Sequence, residues 1–243
     1  AGNSGRGSSG EAMAASRLIF NTRCQIAEMF DVWGPECVAF TSNDTEALNI
    51  ALQGTLHPEE GTLHAICTEM DHNSVLRPLY RLEKKGMELT ILPADRKGRI
   101  SLTELEAAIR PETKVIVCTH ASNLTGNLND IHAIGEIAQK HQKLFIVDAA
   151  QTAGVFPISM KKDHIDILCF SGHKGLMGPQ GTGAICVRPG VSVEPLKVGG
   201  SGVLTFQREH PQDMPEALEA GTLNSHGIAG LGAAMDWIRE TGT

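Results

Sequence analysis

Long apolar runs are absent from this sequence. None approaches the roughly 20 residues that a membrane-spanning helix needs, and residues 1–6 contain no apolar stretch of the kind found in signal peptides. The default prediction is therefore a cytoplasmic protein, with no membrane among its partners.

Blocks of positive charge are absent as well. The 243 residues include 21 Lys and Arg against 28 Asp and Glu, which gives a formal net charge of −7. No basic stripe interleaved with aromatic residues is present. Because nucleic acids and anionic lipids bind basic surfaces, neither is predicted as a partner.

The motifs of several other chemistries are missing. There is no H-E-x-x-H motif, C-x-x-C pair or regular spacing of metal ligands, so no metal site is expected. The glycine-rich residues 178–183 lack the Lys-Ser pair of a P-loop and do not open a dinucleotide-binding unit. Ser171 lacks the neighbours of a G-x-S-x-G nucleophile. Buried free thiols, rather than disulfides, are predicted for the six cysteines: Cys24, Cys37, Cys67, Cys118, Cys169 and Cys186.

The sequence does contain enough apolar residues, 41%, for a sizeable core. Seven short apolar segments predict strands, at residues 37–41, 63–68, 88–92, 114–119, 144–147, 165–170 and 184–187. Helical spacing predicts helices at residues 11–30, 45–56, 74–85, 102–109, 131–141 and 228–239. Residues 2–10 and 190–221 are predicted to be loops or extended segments.

The order of these segments predicts the fold class. The first five strands alternate with helices, which is typical of a mostly parallel sheet. Too few residues, rich in Gly and Pro, join the last two strands to form a crossover helix, so the last strand is predicted to be antiparallel. We therefore expect one α/β domain over residues 1–243, with a seven-stranded, mostly parallel sheet flanked by helices.

The tetrapeptide Ser171-Gly172-His173-Lys174 directly follows a predicted buried strand. It would place Lys174 at the carboxyl edge of the sheet, where open α/β sheets bind ligands. If it is partly desolvated there, a lysine can act as a free amine and form a Schiff base. Taken alone, a lone lysine is more often a solvated surface residue.

Further motifs accompany this lysine and carry a resemblance to a known family. The chain resembles the class V aminotransferases, and within them the cysteine desulfurases and selenocysteine lyases. These are fold-type I enzymes that use pyridoxal 5′-phosphate. The motifs, in order, are Thr41-Ser42-Asn43-Asp44-Thr45-Glu46-Ala47, Asp71-His72-Asn73-Ser74, Ser122-Asn123-Leu124-Thr125-Gly126, Val147-Asp148-Ala149-Ala150-Gln151, Ser171-Gly172-His173-Lys174 and Glu219-Ala220-Gly221-Thr222.

The cofactor's needs suggest roles for two of these motifs. A protonated ring nitrogen requires a nearby carboxylate, and Asp148, which ends a fully apolar strand, is the candidate. The alternative for Asp148 is a turn cap at a strand end. The phosphate requires N–H groups at a helix start, which residues 42–45 supply, although such a start can be an ordinary helix cap. Asp44 stands where the family often has Ala, so we expect it to offer its N–H and turn its carboxylate away.

The resemblance implies the remaining site residues. Lys174, His72 and Asp148 would be catalytic, with His72 stacked on the cofactor ring. Gln151 and Asn123 would contact the phenolic oxygen, or Asn123 the substrate carboxylate. The cofactor-binding set is Asn43, Asp44, Thr45, His72, Asn123, Asp148, Gln151, Ser171, His173, Lys174 and Thr222.

The implied reaction converts L-cysteine to L-alanine and an enzyme-bound persulfide, or is that of a selenocysteine lyase. Alternatives are a class V aminotransferase and a non-catalytic scaffold that keeps the fold. Thr222 would reach the phosphate of a neighbouring subunit, which implies a homodimer with a shared site, and a sulfur-acceptor protein is an expected partner. Residues 3–7 resemble an early active-site loop. A small carboxyl-terminal domain, with the substrate-binding arginine and the attacking cysteine, is expected outside this chain.

Overall fold

Seven strands form the centre of the molecule. The computed structural model describes residues 10–202 and 206–242. Its strands are β1 (Val38–Thr41), β2 (His64–Thr68), β3 (Glu88–Leu92), β4 (Thr113–Thr119), β5 (Leu144–Asp148), β6 (Ile167–Ser171) and β7 (Gly183–Val187). They form one sheet in the order β1-β7-β6-β5-β4-β2-β3. Only β7 is antiparallel, to both β1 and β6. The predicted fold class is therefore confirmed.

Helices cover both faces of this sheet. They are α1 (Gly10–Met29), α2 (Asp44–Thr55), α3 (Asn73–Glu83), α4 (Leu102–Ala108), α5 (Ile131–Lys140) and α6 (Ser225–Thr241). Helix α4 begins as predicted, with the Ser101 hydroxyl accepting the Glu104 N–H at 3.3 Å. No helix in the described part of the chain is both long enough and apolar enough to span a membrane.

Alternate residues of each central strand enter two separate cores. In β5, Phe145 and Val147 face the core beneath α1, α5 and α6, whereas Ile146 faces the core beneath α2 and α3. The same division holds in β6, where Phe170 packs 4.8 Å from Phe30 between ring centroids. Burial on both faces explains why these strands have continuous apolar sequences.

The predicted element boundaries differ from the observed ones by up to three residues. Cys37 ends a 3₁₀ turn that starts at Pro35, so β1 begins one residue later than predicted. Ile165 is buried but precedes the β6 ladder. Helix α6 starts at Ser225 because the Asn224 side chain caps it, accepting the Gly227 N–H at 3.0 Å. This polar start lies outside the apolar spacing used for the prediction.

The loop predictions fall partly within the described residues. Residues 190–202 and 206–221 contain a single short 3₁₀ turn, Glu216–Leu218, and are otherwise irregular, as expected. The predicted loop at the amino terminus lies outside the described residues except for Gly10, which begins α1. The loop-like motif at residues 3–7 also lies outside them.

Candidate active site

The carboxyl ends of the parallel strands bring the sequence motifs to one edge of the sheet. Asp148 pairs with Thr119 of β4 and with Cys169 of β6, so β4, β5 and β6 end side by side. The segments after these strands carry His120 to Asn123, Ala149 to Gln151, and Gly172 to Lys174. Strands β1 and β2 end at the same edge and lead into α2 and α3. This edge is where open α/β sheets bind ligands.

Asp148 is a buried carboxyl at the end of β5. Its side chain accepts the Ala150 N–H at 2.9 Å, and the residue is only 2% exposed. Burial raises the pKa of Asp148, while the Ala150 N–H and the charges of Lys174 and His72 oppose that rise. Asp148 forms no salt bridge with a described residue. A buried carboxylate without a close cation is suited to bind a cationic ring nitrogen.

Lys174 lies in the tight turn that follows β6. Its carbonyl accepts the Met177 N–H at 2.9 Å, and the Gly172 carbonyl accepts the Gly178 N–H at 2.7 Å. The sequence suggested a partly desolvated lysine, but the Lys174 and His173 side chains are both exposed. The described residues therefore place Lys174 at the predicted edge without burying its amine.

His72 is held by a short chain of polar side chains. Its Nδ1 accepts the Ser74 N–H at 3.2 Å, so His72 itself caps α3. The Ser74 hydroxyl lies 2.9 Å from His72 Nδ1 and 2.8 Å from Thr45 Oγ1. Because Nδ1 is an acceptor, a neutral His72 carries its proton on Nε2. Ser74 thus connects the starts of α2 and α3, a role that its sequence position did not indicate.

The start of α2 has reciprocal side-chain caps similar to a capping box, except that Glu46 accepts the N–H of the residue before the N-cap. Asn43 Oδ1 accepts the Glu46 N–H at 2.9 Å, and Glu46 Oε2 accepts the Ser42 N–H at 2.6 Å. Gly183 of β7 runs against this start, since a Cβ there would lie 2.8 Å from the Asn43 carbonyl carbon and from the Phe170 oxygen. Close contact with β7 therefore fixes the first turn of α2 over the sheet edge. Thr45 is exposed on this turn.

Asp44 adopts a different arrangement from the one expected. Its N–H, proposed as a phosphate donor, donates to the Ser171 hydroxyl at 3.0 Å. Its carboxyl is turned away, as expected, but into a buried position beside Asp148. Asp44 is 5% exposed, and its Oδ1 has no hydrogen-bond partner among the described residues. Proximity to the positive end of α2 favours an ionised Asp44 by about 0.3–1 kcal/mol, whereas burying a second charge costs several kcal/mol.

Three other predicted residues occupy more peripheral positions. Asn123 is exposed in a turn, where the Ser122 hydroxyl accepts the Leu124 N–H at 3.3 Å. Gln151 is half-buried in the turn after Asp148. Thr222 is exposed, and among the described residues no hydrogen bond joins it to this site.

Asp71 is a buried residue of the site that the sequence assigned to a motif but not to a role. It accepts the Thr68 N–H at 2.7 Å, the Thr68 hydroxyl at 2.9 Å and the Thr119 N–H at 2.5 Å. Burial raises the pKa of Asp71 to about 7, against the effect of these donors. Asp71 therefore joins the ends of β2 and β4 directly before His72. Its position between a buried strand and a helix cap was the available signal.

We expect Asp71→Asn to reduce the stability of the protein. An amide offers one acceptor oxygen, so its NH2 group would face either the two Thr68 donors or the Thr119 N–H. Leaving buried donors unpaired costs about 1–3 kcal/mol, measurable as a lower urea midpoint. Asp95→Asn is a matched control, because Asp95 also caps a turn through two N–H groups but is exposed. Equal midpoints for the two variants would contradict this role of Asp71.

The cysteines lie away from any exposed loop. Five are buried and Cys24 is partly buried, in agreement with the prediction of free thiols. Burial raises the pKa of Cys37, Cys67, Cys118, Cys169 and Cys186, which keeps them as thiols. In the described part of the chain, no group of three or more His, Cys, Asp and Glu side chains could hold a metal ion.

Comparison with known proteins defines the class of this chain. The family model of the class V aminotransferases matches residues 1–243, and the chain belongs to that family. It is 34% identical to a probable cysteine desulfurase of Methanothermobacter thermautotrophicus, over 99% of this chain and 60% of the relative. It is 36% identical to the cysteine desulfurase IscS of Vibrio atlanticus, over 91% of this chain and 52% of the relative.

Solved structures agree with the sequence relatives. The apo structure of a cysteine desulfurase from Thermococcus onnurineus NA1 superimposes with a TM-score of 0.90 at 32% identity, and the match covers 98% of this chain and 60% of that one. A structure described as SspA in complex with cysteine gives a TM-score of 0.85 at 31% identity, over 96% of this chain and 64% of that one. The chain thus spans between about half and two thirds of the length of these relatives.

Proposed function

We propose that the protein binds pyridoxal 5′-phosphate and acts as a cysteine desulfurase, converting L-cysteine to L-alanine and a persulfide. Enzymes of the class V family depend on this cofactor. The observation that carries the proposal is the pair formed by the buried Asp148 at the end of β5 and Lys174 just after the end of β6. The relatives named as cysteine desulfurases support the choice of substrate.

The residues present fit the cofactor. The Asp148 carboxylate is buried and lacks a close cation, which a protonated ring nitrogen would provide. The first turn of α2 offers the positive end of a helix, with Thr45 exposed on it, to a phosphate group. The Ser171 hydroxyl, at the end of β6, contacts that turn by accepting the Asp44 N–H, and His173 follows two residues after Ser171.

Each catalytic residue has a task that follows from its chemistry. Bound pyridoxal phosphate draws electrons away from the α-carbon of an attached amino acid. Asp148 would keep the ring nitrogen protonated, since an anion beside it favours the charged form. The Lys174 amine would hold the cofactor and then move a proton at the substrate α-carbon. His72, with Nδ1 occupied by Ser74, would present Nε2 to the substrate.

The desulfuration step also needs a thiolate that attacks the substrate sulfur. The five buried cysteines are poor candidates, because burial raises the pKa of their thiols. We propose that the attacking cysteine and the arginine for the substrate carboxylate lie outside these 243 residues, since the relatives are longer. A sulfur-acceptor protein would then take up the persulfide sulfur.

The proposed reaction can be tested with the whole protein. Incubation with pyridoxal phosphate, L-cysteine and a thiol reductant should yield alanine and sulfide in equal amounts. Serine is a control substrate, because it has the same shape but no sulfur. Amino transfer that requires a keto acid, without alanine from cysteine, would assign the protein as an aminotransferase. Cofactor binding without turnover of any amino acid would favour a non-catalytic role.

We further propose that the site is shared across a homodimer through Thr222. A hybrid of Lys174→Ala and Thr222→Ala subunits would have one site with both changes and one with neither. Random mixing makes about half of the dimers hybrid, so about a quarter of all sites should be intact and active. The control mixes Lys174→Ala subunits with subunits that carry both changes. Native mass spectrometry verifies that the mixtures contain hybrid dimers. If such a mixture is no more active than the sum of its two unmixed variants, a shared site is contradicted.

A further inference from the structure

Two carboxyl groups meet in the buried interior of the candidate site. Asp44, in the first turn of α2, and Asp148, at the end of β5, are 5% and 2% exposed. Their carboxyl groups lie close enough for each to shift the pKa of the other. A hydrogen bond between two carboxyl groups requires a proton on one of them, because an ionised carboxylate is only an acceptor.

The surroundings of the pair favour one negative charge rather than two. The titratable groups that face it are Lys174 after β6, His72 before α3, Asp71 before His72, and the buried thiols Cys169 and Cys118. Lys174 and His72 are exposed, whereas Asp71 adds a further acidic group. Burial, together with the charge of Asp148, raises the pKa of Asp44 well above its usual range.

We propose that Asp44 is protonated at neutral pH and that its O–H donates a hydrogen bond to a carboxylate oxygen of Asp148. The pair then carries a single negative charge. Asp44 thereby acts as a positioning residue that keeps Asp148 ionised and oriented. The importance of Asp44 for cofactor binding rests on the proposed function. The proton shared by Asp44 and Asp148 does not depend on that function.

The donors around the two carboxyl groups show which of them carries the proton. Asp148 accepts the Ala150 N–H at 2.9 Å and is the group that both His72 and Lys174 stabilise as an anion. Asp44 Oδ1 has no partner among the described residues, and the first-turn N–H of Glu46 is already taken by Asn43. A charge on Asp44 would therefore lack hydrogen bonds, whereas a charge on Asp148 has them.

Infrared spectroscopy of the protein without cofactor tests the shared proton. Because the pKa of Asp71 is raised to about 7, this carboxyl is also partly protonated at neutral pH, and difference spectra are used to cancel its contribution. The difference between the wild type and Asp44→Asn should contain a protonated-carboxyl band, and the difference between the wild type and Asp148→Asn should not. Absence of the band from the first difference would overturn the proposal, and a band in the second difference alone would place the proton on Asp148 and overturn it as well.

The pH dependence of unfolding provides a second measurement. Asp44 has a higher pKa in the folded than in the unfolded protein, so its stabilising proton is fully present at low pH and is lost as the pH rises. Consider the pH range between the pKa of Asp44 in the unfolded protein and its pKa in the folded protein. In this range, each pH unit should increase the equilibrium constant for unfolding of the wild type by a factor about ten times larger than that for Asp44→Asn. Parallel pH profiles for the two proteins would contradict the proposal.

Cofactor binding separates the positioning role from the proposed function. Without a donor from residue 44, the pKa of Asp148 should rise. On acidification, Asp44→Ala should therefore lose pyridoxal phosphate affinity at a higher pH than the wild type does. Asp44→Asn, whose amide still donates a hydrogen bond, should stay close to the wild type. If pyridoxal phosphate affinity falls with the same pH midpoint in the wild type, Asp44→Ala and Asp44→Asn, the positioning role is refuted. No binding by the wild type, with the infrared result as expected, would refute the proposed function and leave the shared proton standing.

Discussion

Lys174→Ala should abolish turnover. Under the proposed function, Lys174 supplies both the covalent attachment of the cofactor and the proton transfer at the substrate. Loss of a positioned acid–base group alone lowers rates by about 10²–10⁴-fold, and loss of the nucleophilic amine adds to this. We expect alanine formation from L-cysteine to fall below detection, and borohydride reduction to fix the cofactor on Lys174 of the wild-type protein only.

Lys140→Ala is the matched control for this experiment. Lys140 is also exposed, but it lies at the carboxyl end of α5, where it pairs with Glu106 at 2.7 Å. Its removal should leave both turnover and cofactor labelling unchanged. Peptide mapping that places the reduced cofactor on a lysine other than Lys174 would remove the basis of the proposed site.

Among the substitutions proposed here, Arg23→Met should cause the largest decrease in the free energy of unfolding. Arg23 and Glu219 are each 8% exposed and form two hydrogen bonds of 2.6 Å with each other. Glu219 also accepts the Phe40 N–H at 2.6 Å, and Arg23 donates to the Val38 carbonyl at 2.6 Å. The pair thus joins α1, β1 and the segment that leads to Thr222. Removing one partner of a buried ion pair costs about 3–5 kcal/mol.

The pH dependence of this loss is also predicted. Burial raises the pKa of Glu219, and Arg23 opposes that rise. Without Arg23, the pKa of Glu219 in the folded protein should rise further above its unfolded value. The destabilisation is then smallest at low pH, where Glu219 is protonated in both states, and grows as the pH rises. Urea unfolding of the variant at acidic and neutral pH measures the difference.

The double variant Arg23→Met/Glu219→Leu serves as the control. Replacing a whole buried ion pair by apolar side chains of similar volume is often close to neutral. Glu219→Leu also removes the acceptor of the Phe40 N–H, which costs about 1–3 kcal/mol, so we expect the second substitution to restore only part of the stability that the first removes. A double variant as unstable as Arg23→Met alone would show that the unpaired Phe40 N–H and lost packing, such as the contact of Arg23 over the Phe40 ring at 4.7 Å, dominate.

The sequence predicted the seven strands, the six helices and the placement of the motif residues near strand ends. These features depend on local patterns: short apolar runs for strands buried on both faces, and 3.6-residue spacing for helices. The antiparallel β7 was also accessible, because the link from β6 to β7 contains too few residues for a crossover helix. The order of the strands was not predicted, since it depends on which edges meet in space.

The roles of Arg23, Asp71, Ser74 and Asp44 were decided only by the tertiary structure. Arg23 and Glu219 are 196 positions apart in the sequence, and no local pattern marks Arg23 as the partner of Glu219. Asp44 follows a helix cap, a position where a carboxylate is ordinarily solvated and ionised. Burial beside Asp148 reverses that expectation, because the cost of desolvating a second charge exceeds the favourable effect of the helix end. The sequence determined which chemical groups reach the sheet edge, and the packing of distant segments determined their protonation and their partners.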